Sequence, residues 1–283
     1  MEQFEKVNLL NKQSLIKIKL KNTQWSIILS NKDILFEAIT DLLLDKVNLF
    51  FYTTQKTTTK TLKESKQFVN DLYVKGLLDE ELKTVFTSIG WDKDTLNINS
   101  SIFQGDLGEY LSVILIDKLN ISSTLISKVS LKTSPKMPSY GNDNIYFDYE
   151  KNILYFGESK FHEKLSEGFS SAIRSLNKHK TDEIEISFIS NHTGSFIAEN
   201  SKKLSYVEKK FNVVSSQSVD IGIISFIIMD DKYSKEDIES LLKDYYSKGK
   251  IKDSDIINSY IIALPIISKQ EFLKYFKKRI SGL

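Results

Sequence analysis

The sequence of 283 residues contains no cysteine, so it offers no disulfide and no thiolate for a structural zinc site. Its three histidines, His162, His179 and His192, lack the spacing of a metal-ligand pair. The first residues show no basic stretch followed by an apolar one, so we expect no signal peptide. The longest apolar run, 221–229, is too short to span a bilayer. These absences predict a cytoplasmic protein without a membrane segment.

Arginine is also scarce, since the chain has only Arg174 and Arg279. Bidentate recognition of guanine depends on arginine, so sequence-specific reading of DNA is not favoured. The formal net charge of +2 argues against a protein that coats nucleic acid by bulk electrostatics. Neither a P-loop nor a glycine-rich dinucleotide fingerprint is present, so we do not expect this chain to hydrolyse ATP.

What is present begins with a predicted β-hairpin. Two short runs rich in β-branched and aromatic residues, 145–147 and 153–156, flank a polar, turn-like stretch. A four-residue loop between them pairs Asp148 with Ile153. Because the numbers of paired residues in an antiparallel ladder have a constant sum, this loop predicts the register of the whole hairpin.

The predicted register places Asp143 opposite Glu158, and Lys160, two residues further on, points to the same face. Such a charged cluster is costly to bury unless it is paired or metal-bound. Two carboxylates and the backbone carbonyl of Ser159 suit Mg²⁺, with Mn²⁺ as an alternative. The set predicts a metal site that activates water against a phosphodiester. Lys160 would orient that water or stabilise charge on the phosphoryl oxygens.

A second candidate carboxylate lies upstream. The segment from Gln104 predicts the start of an amphipathic helix that reaches about Leu119, because apolar residues recur there at helical spacing. Glu109 lies beside the apolar stripe and near the predicted N-terminus, where the helix dipole favours a carboxylate. If this helix packs on the hairpin, Glu109 can reach the same metal. Asp106, one turn earlier, is the competing candidate.

Four short motifs resemble a known family. They are Gly-Asp-x-Gly-Glu-Tyr-Leu at 105–111, Lys-x-Ser-Leu-Lys-Thr at 128–133, Tyr-Gly-x-Asp at 140–143 and Phe-Gly-Glu-Ser-Lys at 156–160. Their order is similar to that of PD-(D/E)XK nucleases. More narrowly, the motifs resemble the HamA family, the nuclease subunits of Hachiman anti-phage systems. One departure is Asn142, which stands where many of these nucleases have a proline.

The resemblance implies a metal-dependent DNA nuclease whose active-site set is Glu109, Asp143, Glu158 and Lys160. It further implies a restriction-endonuclease-like core. It also implies a partner, a HamB-like helicase of the same defence system, which senses DNA and restrains or releases the nuclease.

Each of these residues also has a plain structural explanation. Glu-x-Lys on a strand solvates an exposed face, Asp143 can start a turn, and Glu109 can stabilise its helix end. His162 points to the same face as Lys160 and is either a phosphate contact, a proton shuttle or a polar residue at a strand end. Two rival functions therefore stay open. One is a catalytically silent nucleic-acid-binding or regulatory subunit, and the other is an RNase on the same scaffold.

The order of elements predicts an α/β fold with a mixed central sheet flanked by helices. The continuous apolar run at 221–229 is typical of a central strand that is covered on both faces. A further strand is predicted at 47–52. The polar stretch 91–101 predicts a boundary between an N-terminal α/β accessory region, 1–95, and the nuclease core, 96–283.

Overall fold

The computed structural model describes residues 13–20, 23–30, 36–45, 48–49, 78–91, 96–119, 121–127, 143–148, 151, 153–179, 220–229, 233–248, 250, 258–266 and 268–282. The sequence also predicts a helix at 62–77, an alternating strand with Lys128 and Lys132 and a strand at 183–189, and it favours a helix only slightly at 195–212. These four stretches lie outside the described residues.

Within the described residues, seven strands form one mixed sheet in the order β1-β2-β7-β6-β5-β4-β3. Their bounds are β1 Gln13–Leu20, β2 Thr23–Ser30, β3 Ser123–Ser127, β4 Asn144–Asp148, β5 Ile153–Phe161, β6 Asp220–Met229 and β7 Asn258–Pro265. Strand β4 pairs antiparallel with both β3 and β5, whereas β5, β6 and β7 are parallel. This five-stranded part is compatible with a restriction-endonuclease-like core, so the predicted fold class is confirmed.

Helices cover both faces of the sheet. Their bounds are α1 Phe36–Leu44, α2 Leu78–Ile89, α3 Ser101–Lys118, α4 Leu165–His179, α5 Lys235–Ser247 and α6 Lys269–Ser281. The apolar cluster on one face is built from α1, α2, α3 and α6, and the cluster on the other from α4 and α5. None of the helices in these segments has the length and hydrophobicity that crossing a bilayer requires.

The central strand β6 shows why its sequence is almost entirely apolar, with Ser225 as the polar exception. Ile224 and Phe226 are buried against the α3 side, whereas Ile223 and Ile227 are buried against the α4 side. Because successive side chains of a strand point to opposite faces, a strand covered on both sides favours apolar residues at nearly every position. The prediction for 221–229 is confirmed.

The β4–β5 hairpin has the predicted register. Asp148 pairs with Ile153 and Asn144 pairs with Gly157, with no shift between them. The turn is stabilised locally, because the Asp148 carboxylate accepts a hydrogen bond from the backbone N–H of Lys151 at 3.0 Å. An Asp side chain that closes its own turn in this way fixes the loop length, and the loop length fixes the register.

Helix α3 differs from the prediction in two respects. It begins at Ser101 rather than Gln104, with Ser100 as N-cap accepting from the backbone N–H of Phe103. It is also buried almost all round from residue 106 to residue 116, so it is a central helix and not an amphipathic one. Two turns precede Glu109, so the predicted position near the helix N-terminus, with its favourable dipole, is wrong.

The first two strands continue the sheet of the core. Strand β2 pairs in parallel with β7, and β1 forms the edge beyond it. The described part of the N-terminal region therefore shares one sheet with the rest of the chain. The boundary between 1–95 and 96–283 stays a prediction.

The strand predicted at 47–52 is wrong at its two described residues, because Asn48 and Leu49 are helical. The backbone N–H of Leu49 donates to the carbonyl of Asp45 at 2.8 Å, which is a helical hydrogen bond. The Asp45 carboxylate also accepts from the backbone N–H of Asn48 at 2.8 Å. A short polar side chain that caps the following turn outweighs the β propensity of the apolar residues there.

Candidate active site

Three of the predicted site residues come together at the open end of the β4–β5 hairpin. The Lys160 Nζ atom lies 2.5 Å from Glu158 Oε2 and 3.9 Å from Asp143 Oδ2. Asp143 is also held by the backbone, because its Oδ2 atom accepts from the N–H of Ser159 at 2.7 Å. One ammonium group is thus flanked by two carboxylates on the same face of two neighbouring strands.

These charged groups lie at different depths. Glu158 is only 1% exposed, whereas the side chains of Lys160 and Asp143 are 21% and 16% exposed. Glu158 therefore forms the floor of the cluster, and the other two side chains lead from it toward solvent. A substrate can approach such a cluster from the solvent side.

The buried position has a clear electrostatic effect. Burial, followed by the neighbouring charge of Asp143, raises the pKa of Glu158 to about 8, although Lys160 acts in the opposite direction. Burial alone would lower the pKa of Lys160, but Asp143 and Glu158 raise it overall. Both shifts express an excess of negative charge in a desolvated place, which is an arrangement that favours a further cation.

A fourth side chain completes the surroundings of Glu158. Ser175 lies on α4, and its hydroxyl donates to Glu158 Oε1 at 2.7 Å. The two oxygens of this carboxylate therefore have different partners, Ser175 on one side and Lys160 on the other. Ser175 was not among the residues predicted from the sequence. Its only signal in the sequence is a small polar residue between the buried Ile173 and Leu176.

The structure places Glu109 differently from the other three residues. Helix α3 covers the opposite face of the sheet from α4, whereas Glu158 contacts α4. Glu109 nevertheless lies within electrostatic range, because its charge contributes to the raised pKa of Lys160. Asp106, the competing candidate, is 4% exposed in the same helix. The described residues hold no group of three His, Cys, Asp or Glu side chains that could bind a metal by themselves.

The donors at the hairpin end suit a hard divalent cation. Asp143 and Glu158 supply two carboxylates, and with Lys160 their summed formal charge is −1. The N–H of Ser159 points toward Asp143, and in a strand the carbonyl of a residue points to the same neighbour as its N–H. The Ser159 carbonyl is therefore on the correct side to be the third oxygen donor. Mg²⁺ prefers a site with a few carboxylates and several bound waters.

A neutral network on the other face of the hairpin joins α3 to both strands. Four groups lie between 2.8 and 3.2 Å from Ser112 Oγ: Glu109 O, Asn144 Nδ2, Ser159 Oγ and Tyr146 Oη. A hydroxyl has one hydrogen and two lone pairs, so Ser112 is saturated. The network fixes the segment that carries Glu109 against the strands that carry Asp143 and Glu158. Sequence reasoning missed it, because contacts between distant segments leave no periodic signal.

Two glycines lie beside this contact. A Cβ atom at Gly108 would lie 3.5 Å from the Cβ atom of Ser159, which is an ordinary contact distance, so α3 packs directly on β5 at that point. A Cβ atom at Gly157 would lie 2.5 Å from the Tyr146 ring, which is closer than any side chain tolerates. Gly157 thus has a packing role within the hairpin, beside the site.

His162 continues the same face of β5 beyond Lys160. Its backbone N–H donates to the carbonyl of Ile228 at 3.0 Å. Burial, followed by the charge of Lys269, lowers the pKa of its imidazole. The side chain is half-buried at the edge of the charged cluster. A contact with phosphate stays a prediction.

Comparison with protein-family models matches the model described as HamA over residues 4–280. This range covers nearly the whole chain and contains all four predicted active-site residues, Glu109, Asp143, Glu158 and Lys160. Comparison with curated proteins gives no match.

Proposed function

This chain belongs to the HamA family, which is part of the multi-component Hachiman defence system, and from that premise we propose that it is the system's metal-dependent DNA nuclease. The observation that carries the proposal is the cluster at the hairpin end. Lys160 lies 2.5 Å from Glu158 and 3.9 Å from Asp143, at a place that reaches solvent. The reaction is hydrolysis of phosphodiester bonds in DNA.

Three oxygen donors would hold the metal: the carboxylates of Asp143 and Glu158 and the carbonyl of Ser159. A bound Mg²⁺ or Mn²⁺ ion supplies a water of lowered pKa and offsets the charge of the phosphate. Glu109 lies on the other side of the sheet, and its charge acts on Lys160. Its role would be to complete the metal site or to position the water.

Lys160 is the residue that acts on the reacting phosphate. The charges of Asp143 and Glu158 raise its pKa overall, so the ammonium group is fully protonated at neutral pH. A fixed positive charge in a partly desolvated place stabilises the negative charge that develops on phosphoryl oxygens. It also orients a water molecule for attack, because its N–H groups are donors at a defined position.

Targeting would come from a partner. The chain has two arginines, and one of them, Arg279, donates to Asp41 at 2.8 Å and so ties α6 to α1. This leaves Arg174 for base-specific contacts, which rely on bidentate arginine. We therefore propose cleavage with little sequence specificity, controlled by the helicase subunit of the same system.

The direct test is cleavage of supercoiled plasmid by purified protein with Mg²⁺ or with EDTA. Glu158→Ala and Lys160→Ala are each expected to lose at least about a hundredfold in rate, because each removes a group that acts on the developing charge. Two matched controls come from exposed residues outside the cluster, Glu163→Ala just after β5 and Lys151→Ala at the hairpin turn. Both controls should cut like the wild type.

The alternatives give different results. Wild-type cleavage by Glu158→Ala would show that the cluster is not the active site. If the isolated chain cuts nothing, the assay is repeated with the helicase partner and ATP. A chain that stays inactive in the complex is a silent binding or regulatory subunit. Cleavage of RNA but not DNA in a parallel substrate panel would identify an RNase on this scaffold.

A further inference from the structure

Ser175 contacts the buried Glu158 carboxylate from helix α4. We infer that Ser175 is a positioning residue that holds the Glu158 carboxylate in the orientation for binding the divalent cation. The inference rests on the proposed function, because it needs Glu158 to be a metal ligand. Ser175 itself touches neither metal nor substrate.

The two oxygens of the Glu158 carboxylate have different donors. Ser175 donates to Oε1 at 2.7 Å, and Lys160 donates to Oε2 at 2.5 Å. Two donors on different oxygens fix the plane of the carboxylate as well as its position. Because Lys160 also lies 3.9 Å from Asp143, it is the Oε2 atom that faces the other carboxylate. Ser175 thus holds Oε1, the oxygen that faces away from Asp143, and leaves Oε2 directed into the cluster.

The hydroxyl is carried by a rigid support. Helix α4 is held on the sheet by four side chains that are at most 3% exposed: Leu165, Phe169, Ile173 and Leu176. It also lies close to β6, because a Cβ atom at Gly168 would come within 2.7 Å of the Ile227 side chain. A donor on such a support keeps its position when the contents of the site change. Precision of this kind comes from the groups that support a ligand, not from the ligand alone.

The chemical difference between the two donors gives Ser175 a separate task. The Lys160 ammonium group is positive, so its contact with Glu158 competes with an incoming cation. The Ser175 hydroxyl is neutral, so its contact with Glu158 is compatible with a cation on the same carboxylate. A carboxylate buried to 1% exposure needs such a donor, because burial without hydrogen bonds is costly.

The test measures metal binding in the absence of DNA. Mn²⁺ binding to the purified full chain is followed by electron paramagnetic resonance for the wild type, Ser175→Ala, Ser175→Thr and Glu158→Ala. We expect Ser175→Ala to weaken Mn²⁺ binding about 10- to 100-fold, which is the range for groups that orient a metal ligand. Ser175→Thr keeps the hydroxyl and should restore binding to within about threefold of the wild type, since the donor to the ligand is retained.

The matched control is Ser170→Ala, a half-buried serine of the same helix on a different side. It should bind Mn²⁺ like the wild type. Thermal unfolding of every variant is measured in parallel. A purely structural role of Ser175 would lower the melting temperature of Ser175→Ala and leave its Mn²⁺ affinity unchanged, and that result would overturn the inference. If Ser175→Ala does not fold, Ser175→Thr and Ser175→Cys decide, because only the former retains a strong donor.

The same series separates this inference from the proposed function. If Glu158→Ala loses Mn²⁺ binding while Ser175→Ala retains it, Glu158 is a ligand and only the role of Ser175 is wrong. If the wild type and Glu158→Ala bind Mn²⁺ equally, Glu158 is not a ligand, and both the metal site and the inference drawn from it are overturned.

Discussion

The two faces of the β4–β5 hairpin are built from the same two strands but differ in chemistry. Asp143, Glu158 and Lys160 point to the α4 side, whereas Asn144 and Ser159 point to the α3 side. Alternate residues of one short sequence thus form a charged cluster on one face and a neutral network on the other. Because successive side chains of a strand point to opposite faces, this alternation is sufficient to separate the charged cluster from the neutral network.

The hydroxyl groups and the amide nitrogen of the neutral face have partners within the protein. Its hydroxyl and amide groups are partners of one another, and all of them are almost fully buried. Burial raises the pKa of Tyr146, so its phenol stays neutral at physiological pH. A network of this kind rigidifies a core and carries no net charge.

The charged face is not balanced within the protein. Two carboxylates share one ammonium group, and the side chains of Asp143 and Lys160 are partly exposed to solvent. Burial of polar groups alone therefore does not mark a functional site. An excess of one charge in a desolvated place that solvent can reach is the more specific sign. Mutations on the two faces should therefore have opposite consequences for activity and stability.

The largest effect is expected on the charged face. Asp143→Asn removes one negative charge but keeps an oxygen that can accept from the Ser159 N–H. We expect cleavage to fall at least about a hundredfold, because a ligand charge for the metal is lost. The melting temperature should change little, since the side chain is partly exposed and its backbone partner is retained. Plasmid cleavage rates and thermal unfolding measure the two quantities.

A matched control lies at the other end of the same strand. Asp148 forms an ion pair of 2.6 Å with Lys151 at the hairpin turn, away from the charged face. Asp148→Asn should cut DNA like the wild type, whatever its effect on stability. If Asp143→Asn and Asp148→Asn cut DNA equally well, the two ends of the strand do not differ in function. That result would count against the charged face as the catalytic site.

An intermediate effect, now on stability, is expected on the neutral face. Ser112→Ala removes the hydroxyl that four groups share, so several buried polar groups lose a partner. The free energy of unfolding should fall by about 1–3 kcal/mol, while the cleavage rate per folded molecule changes by less than about threefold. Urea unfolding and active-protein titration give these values.

Ser247→Ala is the control for this change. The Ser247 hydroxyl donates to the carbonyl three residues earlier at 2.9 Å, as Ser112 does at 2.8 Å, but on an exposed helix end. Its loss should cost less than about 0.5 kcal/mol, as is usual for surface positions. A Ser112→Ala variant that is no less stable than Ser247→Ala would mean that the network contributes nothing to the fold.

The hairpin was predictable because its determinants are local. Strand period, loop length and the turn-closing Asp148 lie within a few residues of one another, and together they place Asp143 opposite Glu158. The burial of α3 also had a local signal, since the stretch 110–116 is apolar on nearly every side rather than along one stripe. The prediction of an amphipathic helix considered only one apolar stripe and was therefore wrong.

Other features depend on contacts between segments far apart in the sequence. Strand β2 pairs with β7, which lies more than two hundred residues later, and no short pattern specifies that pairing. The approach of Ser175 to Glu158 likewise depends on how α4 packs on the sheet. A serine next to a buried stripe has many local explanations, and only the packed structure selects among them.

The smallest effect is expected for Ser159, which belongs to both faces. Its hydroxyl donates to Ser112 on the neutral face at 3.1 Å, whereas its backbone N–H donates to Asp143 on the charged face. Ser159→Ala removes only the hydroxyl, so the free energy of unfolding should fall by about 0.5–1.5 kcal/mol, the usual value for one hydrogen bond. Cleavage and Mn²⁺ binding should stay at wild-type levels, because the proposed metal donor is the backbone carbonyl. A tenfold loss of Mn²⁺ affinity in Ser159→Ala at unchanged stability would instead make the side chain part of the metal site, and the separation of the two faces would then fail at this residue.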